Sequence, residues 1–207
     1  MLAETAMINV AGSAAPDGRQ HWLAYKVRVD AVMSGHREAL ADFLSRPLSL
    51  LIVDDDQIVA HNGDIGSWNL AEVDKHSLMR WGIPLIEECR LIPNFQEGSS
   101  PELERRSQSF YGLGLFAGQE IGALVDVGEV WAFPPDEELP NSFVNSSVAH
   151  FVETSWRWYW TWKEVQALRF DIEQYDLLDD FLEFAIRLDP RVGSAEQSIW
   201  RGFIQSW

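Results

Sequence analysis

The sequence predicts an α+β fold with a helical C-terminal third. Three observations lead there. Three short β-like runs, FYGLGLF (110–116), EIGALVD (120–126) and EVWAF (129–133), follow one another across short turns. Helical patterning then dominates from Ser146 almost to the end. The chain has 207 residues, which at roughly 150 residues per domain makes one domain, and strands followed by helices within one domain read as α+β.

Bulk composition narrows the class. Hydrophobic residues make up 46% and charged ones 23%, an ordinary globular balance for a chain able to bury a core without disulfides. Cys89 is the only cysteine, which fits a reducing compartment, and the cytoplasm is the default. The start lacks the basic residues and apolar run of a signal peptide, and no stretch of about 18 apolar residues exists to span a bilayer. Net charge is −16 and uneven: residues 1–45 carry 4 basic and 5 acidic side chains, residues 46–207 carry 12 and 27. Such a surface repels nucleic acid and anionic lipid and attracts a basic protein. Solubility alone would also account for it.

In chain order, residues 1–18 read as a loose tail before a single domain over 19–207. Arg19 to Leu44 is helix-like, interrupted near Ser34-Gly35, with Leu40, Phe43 and Leu44 as its apolar stripe. Pro47 ends it. SLLIVDDDQIVAHNGD (49–64) reads as a β-hairpin turning at Asp54-Asp55-Asp56, with a second turn at 61–64. Leu70–Trp81 is a short helix, Gly82 its C-cap and Pro84 just beyond. Residues 96–107 are polar and read as a surface loop. The three strands follow, the last two joined at Val127-Gly128. Pro134, Pro135 and Pro140 stiffen an acidic loop around Asp136, Glu137 and Glu138. One helix from Ser146 to Leu188 would be about 64 Å long, too long for a chain with a radius of gyration of roughly 17 Å. It must break between Arg169 and Gln174. A last helix runs from about Ala195.

The first C-terminal helix is dense in aromatics, and Asn145, Ser146 and Ser147 supply caps at its start. At 100° per residue, Val148, Phe151, Val152, Ser155, Trp158, Tyr159, Trp162 and Val165 share one broad face, which reads as core. His150, Glu153, Arg157, Thr161 and Glu164 fall opposite. Trp156 and Trp160 sit on the flank, one turn apart. Either a neighbouring element covers them or they are exposed anchors for a protein partner.

Catalytic motifs are lacking. GLGLFA (112–117) matches a dinucleotide pattern, but a strand-like run follows it instead of a helix, so Gly112 and Gly114 read as strand or bulge glycines. No phosphate loop, nucleophile elbow or paired histidines at metal-ligand spacing occur. Cys89 reads as a buried structural thiol. Asp54, Asp55 and Asp56 are adjacent, whereas calcium loops space their ligands at alternate positions, so a solvated turn is the simpler reading.

Several segments in order carry a resemblance. HSLMRWGIP (76–84) is a short helix closing in Gly-x-Pro; GALVDVGEVWAFP (122–134) is strand, turn, strand; FVNSSVAHFVETSWRWYW (143–160) opens the long helix; LDPRVGSAEQSIWRGFIQSW (188–207) has Asp189-Pro190 and then a Trp-containing final helix. Together, over roughly 48–206, these resemble the SUKH superfamily of bacterial immunity proteins, most closely its fourth group. The resemblance implies a mixed or largely antiparallel sheet packed against helices, no catalysis and no cofactor. It implies an immunity protein that binds and neutralises a cognate polymorphic toxin, often one acting on nucleic acid. It carries over no binding residues.

Partner-binding expectations therefore come from the residues: Trp156 and Trp160 as anchors, and Asp54, Asp55, Asp56, Asp136, Glu137 and Glu138 as exposed loop acids facing a basic toxin domain. Two rival readings are a regulatory or interaction module with a non-toxin partner, and a metal-dependent hydrolase built on Asp54–Asp56.

Overall fold

The structure, a computed structural model, describes residues 33–61, 65–98, 100–136, 138–168 and 171–206, and of 171–173 the backbone alone. The expected tail over 1–18, the helix-like segment from Arg19 to residue 32 and the turn residues 62–64 lie outside these. Two compact units are distinguished, Met1–Glu38 and Ala39–Trp207. In the first, described residues 33–38 are helical, and Ser34 Oγ donates to Glu38 Oε1 over 3.1 Å. The break expected near Ser34-Gly35 does not fall among the described residues 33–45, which form helix α1. The second unit carries the strands and the remaining helices.

Its strands are β1 (Gln57–Ile58), β2 (Ile83–Pro84), β3 (Ile92–Pro93), β4 (Leu103–Arg105), β5 (Gln108–Phe116), β6 (Gln119–Leu124), β7 (Val130–Phe133) and β8 (Ser142–Asn145). Its helices after α1 are α2 (Glu72–Arg80), α3 (Val148–Ala167), α4 (Asp171–Leu188), α5 (Pro190–Ser194) and α6 (Ile199–Gln205). β5 to β8 form an antiparallel meander, and β3 and β4 share the other side of β5, giving the order β3-β5-β6-β7-β8 with β4 beside β5. β1 and β2 make a separate antiparallel pair.

The α+β class and the three strand runs hold. The register slips between Gly112 and Gly114. Gly114 has φ +130°, and a Cβ there would overlap the Ile92 carbonyl oxygen. Glycine at this bulge lets the β3 backbone close on β5, so GLGLFA is sheet geometry. Gly82 (φ +55°) closes α2 as expected, its N–H bonding the Ser77 carbonyl over 3.1 Å.

Four segments depart from the sequence reading. The Leu50–Val53 run does not pair with the segment after it. Leu48–Leu50 and Asp54–Asp56 are single 3-10 turns, and Gln57–Ile58 pairs instead with Ile83–Pro84. The polar stretch 96–107 is not all surface loop: Leu103–Arg105 is strand β4, and Gln96 is buried, its Oε1 accepting from Gly112 N at 2.8 Å. Ser142–Asn145, read as loop, is edge strand β8. The long helix breaks between Ala167 and Asp171, which overlaps the start of the window expected. The last helix starts at Ile199, with short α5 ahead of it.

Three acceptors hold the start of α3, where helical N–H groups lack intrahelical partners. Ser147 Oγ accepts from His150 N (3.1 Å). Asp74 Oδ1, from α2, accepts from Ala149 N (2.8 Å). Asp189 Oδ2, from the α4–α5 junction, accepts from Ser146 N (2.6 Å). Two carboxylates at the positive end of a 20-residue helix also suit its dipole. Deeper in, Trp158, Phe181, Trp200 and Phe116 pack at tilted or edge-on angles, with Trp158–Phe181 centroids 5.1 Å and Phe116–Trp200 4.8 Å apart.

Candidate partner-binding surfaces

Trp156 is fully buried, with 0% exposure. Its indole N–H donates to the carbonyls of Trp81 (3.0 Å) and Gly82 (3.2 Å), just past the end of α2. Trp160 is half-buried: its ring stacks on Phe43 at 4.5 Å, and its N–H reaches the Leu51 carbonyl at 2.9 Å. The segment from Phe43 to Leu51 thus lies across this flank. It also ties down Arg157, whose guanidinium bonds the Phe43 carbonyl and, at 2.9 Å, Glu153. Thr154, Arg157 and Thr161 are buried as well. The helix is therefore covered on more than the one face its periodicity suggests. Trp156 is core and offers no surface to a partner. Trp160 offers an edge at most.

Asp54 and Asp55 are exposed on their 3-10 turn, and Asp56 is half-buried. Asp56 Oδ2 accepts from the Tyr159 hydroxyl. Burial, and then that bond to Asp56, push the Tyr159 phenol above its ordinary 10.0. Lys163 lies over the same ring, 4.7 Å from its centroid, and its ammonium is held above its ordinary 10.5, first by its bond to Tyr159. Asp56 is therefore partly tied to its own chain, while Asp54 and Asp55 face solvent. Among the described residues no group of three or more His, Cys, Asp or Glu is placed to hold a metal ion.

On the β7–β8 loop Asp136 and Glu138 are exposed, and Glu137 lies outside the described residues. Asp136 shapes the loop: its carbonyl accepts from Leu139 N (3.1 Å) and its Oδ1 from Glu138 N (3.0 Å). The fold does not bring the two acidic groups together. Leu85 N bonds the Asp56 carbonyl and so ties the first to the chain leading into β3, at one edge of the sheet. The second joins β7 to β8, at the opposite edge.

A third acidic surface escaped the sequence reading. On α4, Asp176, Asp179, Asp180 and Glu183 recur at i, i+3, i+4 and i+7, one helical face. Leu177, Leu178, Phe181, Phe184 and Ala185 are buried between them. The signal is present in DLLDDFLE as the complement of the apolar stripe.

Much of the basic side chemistry is already engaged. Arg46 pairs with Asp42, Lys75 with Glu72, Arg105 with Glu120, Arg157 with Glu153 and Arg191 with Glu129. Cys89 is buried with the Trp158 indole N–H 3.2 Å from its sulfur, and burial pushes its thiol above the ordinary 9.0. That is a structural thiol, not an activated one. No helix among the described residues is long and apolar enough to cross a membrane.

Comparison with known proteins gives one result. A family model described as SUKH-4 immunity protein matches residues 55–206. No curated protein and no solved structure matches.

Proposed function

The chain belongs to the SUKH-4 immunity protein family, and on that footing we propose that it neutralises a cognate toxin by protein–protein contact, the toxin being a basic domain that acts on nucleic acid. The observation that carries the finer reading is charge. Residues 46–207 hold 12 basic and 27 acidic side chains, and five described bases are taken up in internal ion pairs. Of the carboxylates outside these pairs, Asp54, Asp55, Asp136 and Glu138 face solvent. Proteins that act on nucleic acid hold phosphates with Lys and Arg. A carboxylate-rich face laid over such a surface occupies the place of the phosphates and excludes substrate. Long-range attraction also speeds encounter.

In this mechanism the protein binds and needs no cofactor. Its acidic groups act at separate places, so different patches meet different parts of the partner's basic groove. The test is a nucleic-acid cleavage or modification assay of the cognate toxin with the purified chain added in steps. Inhibition complete near one equivalent supports the reading. A toxin fully active with excess chain bound, or one whose substrate is not nucleic acid, removes the charge-mimicry part of it.

A further inference from the structure

An open cleft of about 470 Å³ lies between the β7–β8 loop and the α5 region. Trp131, Phe143, Pro140, Asn141, Arg191 and Glu196 are among the residues that line it. Glu129 organises it. Its Oε2 accepts from the Trp131 indole at 3.2 Å, and its Oε1 pairs with Arg191. The Arg191 guanidinium lies over the Phe143 ring, 4.5 Å from the centroid, and Trp131 meets Phe143 edge-on at 5.6 Å. The cleft thus already seats one guanidinium on an aromatic face beside a carboxylate. Phe143 is buried, whereas Trp131 is half-buried.

The rim has the opposite charge to a second such group. Arg191 is the one cation among the lining residues, and Glu129 balances it. The lining residue Glu196 is exposed, and exposed Asp136 and Glu138 lie a few residues before the lining residue Pro140 in the chain. Leu139, 52% exposed, offers an apolar contact beside them.

We propose that this cleft docks an arginine-bearing basic segment of a partner protein, with a guanidinium over Trp131 and an aliphatic neighbour against Leu139. That the partner is a toxin rests on the immunity reading above; the chemistry of the cleft does not. Arginine fits better than lysine because a planar guanidinium stacks on an indole and can bond a carboxylate through two N–H groups.

The test uses the full chain and two probes, acetyl-Arg-Leu-Arg-amide and its lysine counterpart, followed by the indole N–H signals of the 10 tryptophans. The Trp131 signal shifts, the arginine peptide binds about three- to fivefold more tightly than the lysine one, and Trp131→Ala removes the difference. Glu196→Lys, on an exposed residue that leaves the core alone, weakens binding by a similar factor. Equal binding of the two peptides, or shifts that leave Trp131 unmoved, overturns the proposal. So does a concentration-dependent dimer that Trp131→Ala abolishes, since a second copy would then be the occupant. Toxin neutralisation by the same variants separates the two readings. If Glu196→Lys and Trp131→Ala protect as well as the parent chain, the cleft is not the docking site and the immunity reading stands. If the parent chain protects against no toxin while the arginine preference persists, the immunity reading fails and the cleft stands.

Discussion

Replacing Asp189 with alanine strikes the joint that ties β8, α3 and α5 together. The carboxylate is buried, with 1% exposure. It accepts from Ser146 N and Ser146 Oγ at 2.6 Å each, from Arg191 N at 3.2 Å and from Asn145 Nδ2 at 3.4 Å. Hydrogen bonds to a charged group contribute about 1.5–3 kcal/mol each, and donors left buried without a partner add a desolvation cost. The two short bonds alone give about 3–6 kcal/mol, and the two longer ones are weak enough to be replaced by water. Domains are stable by about 5–15 kcal/mol, so the variant loses a large fraction of that. With a urea slope of about 2–3 kcal/mol per molar for a chain of this size, the midpoint falls by about 1–3 M. Asp189→Asn keeps one acceptor oxygen and loses less. Adding Ser146→Ala to Asp189→Ala costs little more, because the partners are already separated. Urea unfolding followed by tryptophan fluorescence measures all of this. A midpoint shift under about 0.3 M at unchanged slope would refute the assignment of this joint to Asp189.

Other substitutions have equally definite outcomes. Trp156→Ala empties a fully buried site and severs the link to Trp81 and Gly82, so unfolding data show a loss of about 3–5 kcal/mol; a partner titration of the folded fraction shows unchanged affinity. Gly114→Ala forces a side chain into φ +130° and against the Ile92 carbonyl, and amide exchange in β3 and β5 accelerates as the bulge opens. Burial raises the Asp74 carboxyl above its ordinary 3.8, opposed by the Ala149 N–H and by His150. A raised folded value means that its contribution is fully present below about 3.8 and lost as pH rises through the folded value. Relative to Asp74→Asn, the parent chain therefore gains stability as pH is lowered from 7 towards 4; a relative loss in paired unfolding curves contradicts the assignment.

How far the sequence could be read depended on whether each residue's neighbours were local. FYGLGLF, EIGALVD and EVWAF pair with one another across short connections, so β-propensity and turn chemistry sufficed. Gly82 and Gly114 were legible because backbone conformation is written into glycine itself. Leu50–Val53 looked like a strand, yet its environment is set by α3 far along the chain: Leu51 is buried and receives the Trp160 indole. β8 was too short and too polar at Ser142 and Asn145 to register as a strand. Trp156 was placed on a flank because a helical wheel assumes one buried face. Trp81 and Gly82 cover it, and the Phe43–Leu51 segment meets Trp160 and Arg157, neighbours that no periodicity reports. Of the site candidates, Asp54, Asp55, Asp136 and Glu138 are exposed as loop chemistry implied, whereas the Glu129–Trp131–Arg191 arrangement joins residues 62 positions apart in the chain.

On the proposed function, surface charge brings this chain to a basic toxin. The association rate constant of chain and cognate toxin, measured by stopped flow from about 50 to 500 mM salt, tests it most directly. The account predicts a rate that falls at least roughly tenfold across that range, and a smaller fall when Asp54, Asp55, Asp136 and Glu138 are replaced by Asn or Gln. An association rate that does not change with salt would contradict it.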